Sequence, residues 1–412
     1  MALVIKNIKE LIQVEEPVVL YRAGKDMKTM YTIKDAWLKI ENDFIADFGE
    51  MHTFSPQTTD TVIDADGGMV FPSFCDSHTH LVYKGSREIE YIDKIKGLSY
   101  EEIAKRGGGI LNTAKRIHEA SEDDLFAEAW LRMEEIKRYG TGAVEIKSGY
   151  GLTVEDELKM LRVIKLLKEE SELTVKTTFL GAHAVPMPYK GRQSEYVDLI
   201  INEMIPEIGK EKLADFIDVF CDKGFFTVEE TDRILTAGAK YGLVPKIHAN
   251  ELDYSGGIQV GVKHKALSVD HLEYTGDDEI KTLLASATMP TLLPGAAFFL
   301  GMVYAPARKM IDAGLPLAMA SDFNPGSSPS GNMQFILSMG CIKYKLLPEE
   351  AINAVTINSA YAMGCSKTHG SIARNKKANL FITTPIPTYE FMPYAYGSNK
   401  VKTVILNGKI QS

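Results

Sequence analysis

Apolar segments that alternate with capped helices through the middle of the chain, polar residues at the ends of those segments, and short β segments at both termini predict an α/β fold. The expected architecture is a (β/α)8 TIM barrel with a small β domain built by the two chain ends. The strand candidates are residues 69–76, 141–147, 174–180, 215–220, 243–248, 266–270, 288–293 and 315–320. Eight strands suit a closed barrel. The same alternation suits a doubly wound open sheet, so the strand ends discriminate better than periodicity does.

Helix starts are marked by a hydroxyl residue followed three positions later by an acid: Ser99 with Glu102, Thr153 with Asp156 and Thr227 with Glu230. Such capping boxes satisfy N–H groups that the first helical turn leaves without partners. Gly140 and Gly242 stand where helices should stop. Outside the middle region, residues 2–5, 37–42 and 61–64 read as short strands, as do 370–372, 379–383 and 401–409 near the C-terminus. The last carries Asn407-Gly408, a hairpin signal.

With 412 residues, 45% of them hydrophobic and 25% charged, the chain can bury a large core and has no disordered or fibrous bias. A net charge of -9 disfavours nucleic acid or an anionic membrane as partner, and a small anionic substrate would need a locally placed cation. Cys75, Cys221, Cys341 and Cys365 form no C-x-x-C and point to reduced thiols in a cytoplasmic protein. No secretory signal or membrane-spanning run is expected.

His78-Thr79-His80 follows an apolar run and places two imidazoles on one side of a strand, which makes half of a zinc or iron site. In a parallel barrel, reactive groups project from the C-terminal ends of strands. Here the first strand ends in His78 and His80, the second in Ser148-Gly149-Tyr150 and the third in His183. The fifth ends in His248 and Glu251, the sixth in His271 and the eighth in Asp322. Structural histidines would scatter over mid-strand and helix positions, so this shared placement points to one site. Arg106-Gly107-Gly108-Gly109-Ile110 lacks the Lys-Ser/Thr of a phosphate-binding loop and reads as a loop near the mouth.

The set of His78, His80, His248, His271 and Asp322 resembles the amidohydrolase superfamily over nearly the whole chain. Four segments resemble, more narrowly, its imidazolonepropionase family: Phe179-Leu180-Gly181-Ala182-His183-Ala184-Val185-Pro186, Lys147-Ser148-Gly149-Tyr150-Gly151, His248-Ala249-Asn250-Glu251 and Ser321-Asp322-Phe323-Asn324-Pro325-Gly326. The resemblance implies a distorted (β/α)8 TIM barrel over 69–365 with a β-sandwich formed by 1–68 and 366–412. It implies one zinc or iron ion per subunit on His78, His80, His248 and Asp322. The fourth strand, Phe216-Ile217-Asp218-Val219-Phe220-Cys221, has no lysine to bridge a second ion.

The implied reaction is hydrolysis of the cyclic amide of 4-imidazolone-5-propanoate to N-formimidoyl-L-glutamate, the third step of histidine degradation. Asp322, His271 and Glu251 are the implied catalytic residues. Arg87 is implied for the propanoate, Tyr150, His183 and Glu251 for the ring or propanoate, and Asn324, Gly326 and Ser327 for the amino-acid part of the product. A cytosine- or guanine-type mononuclear deaminase is the nearest alternative, and a catalytically inactive scaffold a second. Residue 379 is Asn where amidohydrolases more often have Asp, a departure that concerns the β domain. A homodimer is expected on the frequency of two-fold dimers.

Overall fold

The computed structural model describes residues 2–55, 57, 60–98 and 109–411. The first five strands are β1 (Leu3–Ile12), β2 (Thr32–Glu41), β3 (Phe44–Glu50), β4 (Thr61–Asp64) and β5 (Val70–Pro72). The barrel follows as β6 (Phe74–Thr79), β7 (Thr141–Lys147), β8 (Thr174–Ala182), β9 (Phe216–Cys221), β10 (Val244–Ala249), β11 (Ser268–His271), β12 (Met289–Leu292) and β13 (Ala318–Met319). These eight strands lie side by side in chain order, each paired in parallel with the next.

β13 has only two residues, and the segment after it completes the ring. Asp322 N donates to the His78 carbonyl at 3.0 Å and His80 N to the Phe323 carbonyl at 2.9 Å, while Thr79 and Phe323 form a parallel bridge. Strands such as β9 are buried at every position, as a sheet covered by helices requires.

The expected first barrel strand, 69–76, divides in two. Val70–Pro72 belongs to the other sheet, where it pairs in parallel with β1 and antiparallel with β14 (Leu380–Thr383). Pro72 has no N–H to carry that ladder further. The barrel strand therefore starts at Phe74 and carries His78 and Thr79 within it. Of the expected terminal strands, 370–372 reduces to a single bridge between Ile372 and Val14. Residues 401–409 fold back as β15 (Val401–Leu406) and β16 (Lys409–Ile410) around Asn407 and Gly408, both at positive φ. The terminal strands join in one hydrogen-bonded network around a core of their own. In it, Asn379 Oδ1 accepts from Asn407 N at 2.7 Å, so the acceptor that an aspartate would offer there is kept.

Thr227 and Glu230 form the expected reciprocal cap. Thr153 accepts from Asp156 N at 3.1 Å, and the Asp156 carboxylate accepts from the Thr153 hydroxyl at 3.0 Å and meets His118 and Lys159 in place of the Thr153 backbone N–H. Ser121 with Asp124 makes a further box that the sequence reading passed over. The Ser99–Glu102 cap and the Arg106–Gly108 part of the glycine-rich loop lie outside the described residues. All four cysteines are free. Among the described residues no helix is long and apolar enough to cross a membrane.

Sheet and barrel meet at Phe381, which stacks on Phe71 at 5.2 Å between centroids and packs on Phe74 at 5.0 Å. Gly140, at φ 96°, brings the end of a barrel helix against the same ring, where a Cβ would sit 2.9 Å from Phe381 Cδ1. Phe381→Ala should empty this joint and lower stability by about 3–5 kcal/mol, read as a reduced midpoint in denaturant unfolding.

Candidate active site

The C-terminal mouth of the barrel brings together five side chains. His78 in β6 and His80 just beyond it share a face by strand alternation. His248 in β10, His271 at the end of β11 and Asp322 past β13 turn toward the same point. His78 Nε2 lies 3.1 Å from His248 Nε2 and 3.6 Å from Asp322 Oδ1, and His80 Nε2 lies 3.6 Å from that oxygen. All five residues are buried. Their donor atoms form two groups that share His78: one with His80 and Asp322, the other with His248 and His271. The four expected ligands draw on both groups. His271, expected to act on substrate, also lies within ligand distance.

The groups behind the rings fix which nitrogen faces inward. His78 Nδ1 lies 2.6 Å from Asp270 Oδ2, and His248 Nδ1 lies 2.9 Å from Asp218 Oδ2. The Asp270 carboxylate accepts from His78 Nδ1 and leaves its Nε2 a bare lone pair, whereas His248 Nδ1 faces Asp218 without hydrogen-bond geometry. Burial holds His78, His80 and His271 well below the ordinary histidine pKa, so those rings are neutral. His78 and His248 thus bring two ring nitrogens within 3.1 Å of each other, where one cation would draw on both. Ligands about 2.0–2.1 Å from a tetrahedral ion stand roughly 3.4 Å apart, and separations of 3.1 and 3.6 Å fit that geometry. The donor set suits a divalent ion of the zinc or iron kind.

Beneath this layer lies a set of charges the sequence reading missed as a group. Lys147 Nζ contacts Glu145 Oε1 at 2.6 Å, Asp218 Oδ2 at 2.8 Å and Asp270 Oδ2 at 3.7 Å. Lys246 Nζ pairs with Glu145 and donates to the Ser77 carbonyl at 3.0 Å. All five of these side chains are fully buried. A signal was present: Lys246 stands two residues before His248 and Glu145 two before Lys147, so alternation puts each on the same inner face one layer down.

Above the histidines opens a cavity of about 440 Å³. Every other expected site residue lines it, whereas His78 lies below its floor. His183 Nδ1 donates to the Gly149 carbonyl at 3.0 Å, and its ring stacks over His80 at 5.3 Å. Gly149, at φ 108°, makes that approach possible, because a Cβ would meet His183 Nδ1 at 2.9 Å. Burial pushes His183 down to about 3 and raises Tyr150. Burial also raises Glu251 to about 8, with Asp322 adding to the shift. Glu273, absent from the sequence expectations, is buried behind His271 with neither carboxyl oxygen hydrogen-bonded among the described residues.

Arg87 is not a solvated loop residue: its side chain is 9% exposed and faces the cavity. Glu90, however, takes its Nε and Nη2 at 2.8 and 2.6 Å. Asn324 spends its amide on its own loop, donating to the Asp322 carbonyl and Ser327 Oγ and accepting from the Gly326 and Ser327 N–H groups. It shapes the wall that Gly326 and Ser327 present. Phe220 and Phe225, stacked at 4.0 Å, supply an apolar side.

Residues 69–411 match the Amidohydrolase family. An imidazolonepropionase from Christiangramia forsetii is 56% identical over 410 residues, covering 100% of both chains. In structure the chain resembles a 5-methylcytosine deaminase from Klebsiella pneumoniae (TM-score 0.74, 17% identity, 100% and 98% of the two chains). It also resembles an atrazine chlorohydrolase from Arthrobacter aurescens complexed with zinc and atraton (TM-score 0.71, 14% identity, 99% and 94%). The two structural likenesses speak for the fold alone; the sequence match carries more, and by it this chain belongs to the amidohydrolase family and, within it, to the imidazolonepropionases.

Proposed function

We propose that the protein hydrolyses the ring amide of 4-imidazolone-5-propanoate to N-formimidoyl-L-glutamate, the third step of histidine degradation. The observation that carries this reading is a set of inward imidazole lone pairs and one carboxylate beneath a cavity with an arginine on its wall, in a chain this similar to imidazolonepropionases. His78, His80, His248 and Asp322 would hold one zinc or iron ion, with His271 beside them. A divalent ion there supplies Lewis acidity that polarises a carbonyl and lowers the pKa of a water from 15.7 to about 7.

The chain's own groups do the rest. Water oxygen adds to the ring carbonyl carbon, the bond from that carbon to the neighbouring ring nitrogen breaks, and the carbon becomes the new carboxylate. Asp322 takes the proton from the attacking water and returns it to the leaving nitrogen. The neutral His271 ring steadies the oxygen as charge builds on it. Glu251 hydrogen-bonds the ring nitrogens, and Arg87, Tyr150 and His183 hold the propanoate end while the phenylalanine wall excludes water. Gly326 and Ser327 meet the amino-acid part of the product. We infer a homodimer on general grounds.

Metal-quantified protein incubated with freshly prepared imidazolone propionate should consume ring absorbance and release N-formimidoyl-L-glutamate. A chelator should stop the reaction, and zinc or iron should restore it. Protein that holds about one ion per chain yet leaves the imidazolone intact would overturn the substrate. His271→Asn should lower kcat at least tenfold, about 1.4 kcal/mol; a smaller loss removes His271 from the chemistry. Asp270→Asn should weaken metal binding about 10–100-fold, measured by competition against a chelator of known affinity.

A further inference from the structure

We propose that Lys94 is a specificity-determining residue, its ammonium meeting the substrate's side-chain carboxylate beside Arg87 and supplying the net positive charge at that end of the cavity. The proposal rests on the anionic substrate put forward above. Lys94 lies in the last turn of the helix Glu88–Ile95, whose N-cap is Arg87. Seven residues apart, the two sit on one helix face and converge on Gly326. Lys94 Nζ donates to the Gly326 carbonyl at 3.3 Å, and Arg87 Nη1 leaves no room for a Cβ on Gly326. Both cations line the cavity.

Their charge balance differs. Glu90 occupies one side of the Arg87 fork and neutralises it, leaving Nη1 to offer a ligand. Lys94 pairs with no carboxylate among the described residues; its neighbours are the Gly326 carbonyl and, at 5.9 Å, the ring of Phe299. Burial, with repulsion from Arg87, outweighs the attraction of the Glu90 carboxylate and holds its pKa below the ordinary lysine value. A partly desolvated ammonium with no ion-pair partner among the described residues, in a chain of net charge -9, gains most when an anion enters beside it. The plain alternative is a lysine that merely caps its helix and a loop carbonyl, and that role has no dependence on the charge of a ligand.

Calorimetric titration of the metal-loaded protein separates the two. The probes are imidazole-4-propanoate, which has no ring amide to hydrolyse, and its neutral primary amide. The wild type should bind the acid at least tenfold more tightly than the amide. Lys94→Met should lose most of that preference, and Lys94→Arg should keep it, which guards against a loss caused by misfolding. A wild type without preference, a Lys94→Met variant within twofold of the wild-type preference, or equal loss in both variants would overturn the proposal. Because the titration reads binding alone, a protein that prefers the acid through Lys94 but fails to hydrolyse the imidazolone would sink the proposed reaction and not this assignment.

Discussion

Two imidazole Nε2 atoms held 3.1 Å apart, with a carboxylate behind each ring, are the arrangement on which the rest of the site depends. Rotation would undo it: Asp270 opposes that at His78 by accepting from Nδ1, and Asp218 accepts from the His248 backbone N–H while facing its Nδ1 at 2.9 Å. Burial works against charge on both carboxyls: it raises Asp270 against the pull of Lys246 and Lys147, and it is overcome at Asp218, which its neighbours, Lys147 among them, hold well below the ordinary range; Glu145 lies between the two lysines. Burying an ion pair rarely adds stability over apolar packing, whereas removing one partner from such a pair costs about 3–5 kcal/mol. The stack of charges is therefore better understood as a device for aiming nitrogens than as a source of stability.

The same aim distorts the backbone at the mouth. His271 and Leu272 have φ of 84° and 72°, Asn250 of 55° and Asp322 of 52°, in a region that side chains beyond glycine seldom occupy. Each follows or ends a barrel strand. The left-handed turn swings the chain away from the strand direction, so that His271 and Asp322 point across the barrel axis and the following residues form the cavity wall. Strain of this kind persists where surrounding contacts over-determine it, and here the ladders below and the loop bonds of Asn324 do so.

The parts of this arrangement written in single residues were legible in the sequence. A histidine or aspartate at the end of an apolar strand has few other readings once several strands share it, and His78, His80, His248, His271 and Asp322 converge as their positions imply. What depends on neighbours was not legible. Arg87 reads as a cation for an anion, but its engagement by Glu90 depends on a helix turn bringing the two together. Lys94 carries no motif at all. The break at Pro72 was visible as a proline, yet the strands that take up Val70–Pro72 are β1 before it and β14 more than three hundred residues beyond, and periodicity cannot see across such distances. The mid-strand charges were visible too, but without partners a buried lysine looks like an exposed one.

The barrel's closing edge has a further meaning. Because β13 is so short, the hydrogen bonds that join the last strand to the first belong to residues 321–323, and the aspartate of the site sits in the middle of that seam. Closing the cylinder and completing the donor set are thus one event. A chain that has not finished its barrel presents His78 and His80 without their carboxylate neighbour. New termini cut into this loop would open scaffold and site together, whereas a cut in a helical connection on the outer ring would spare both.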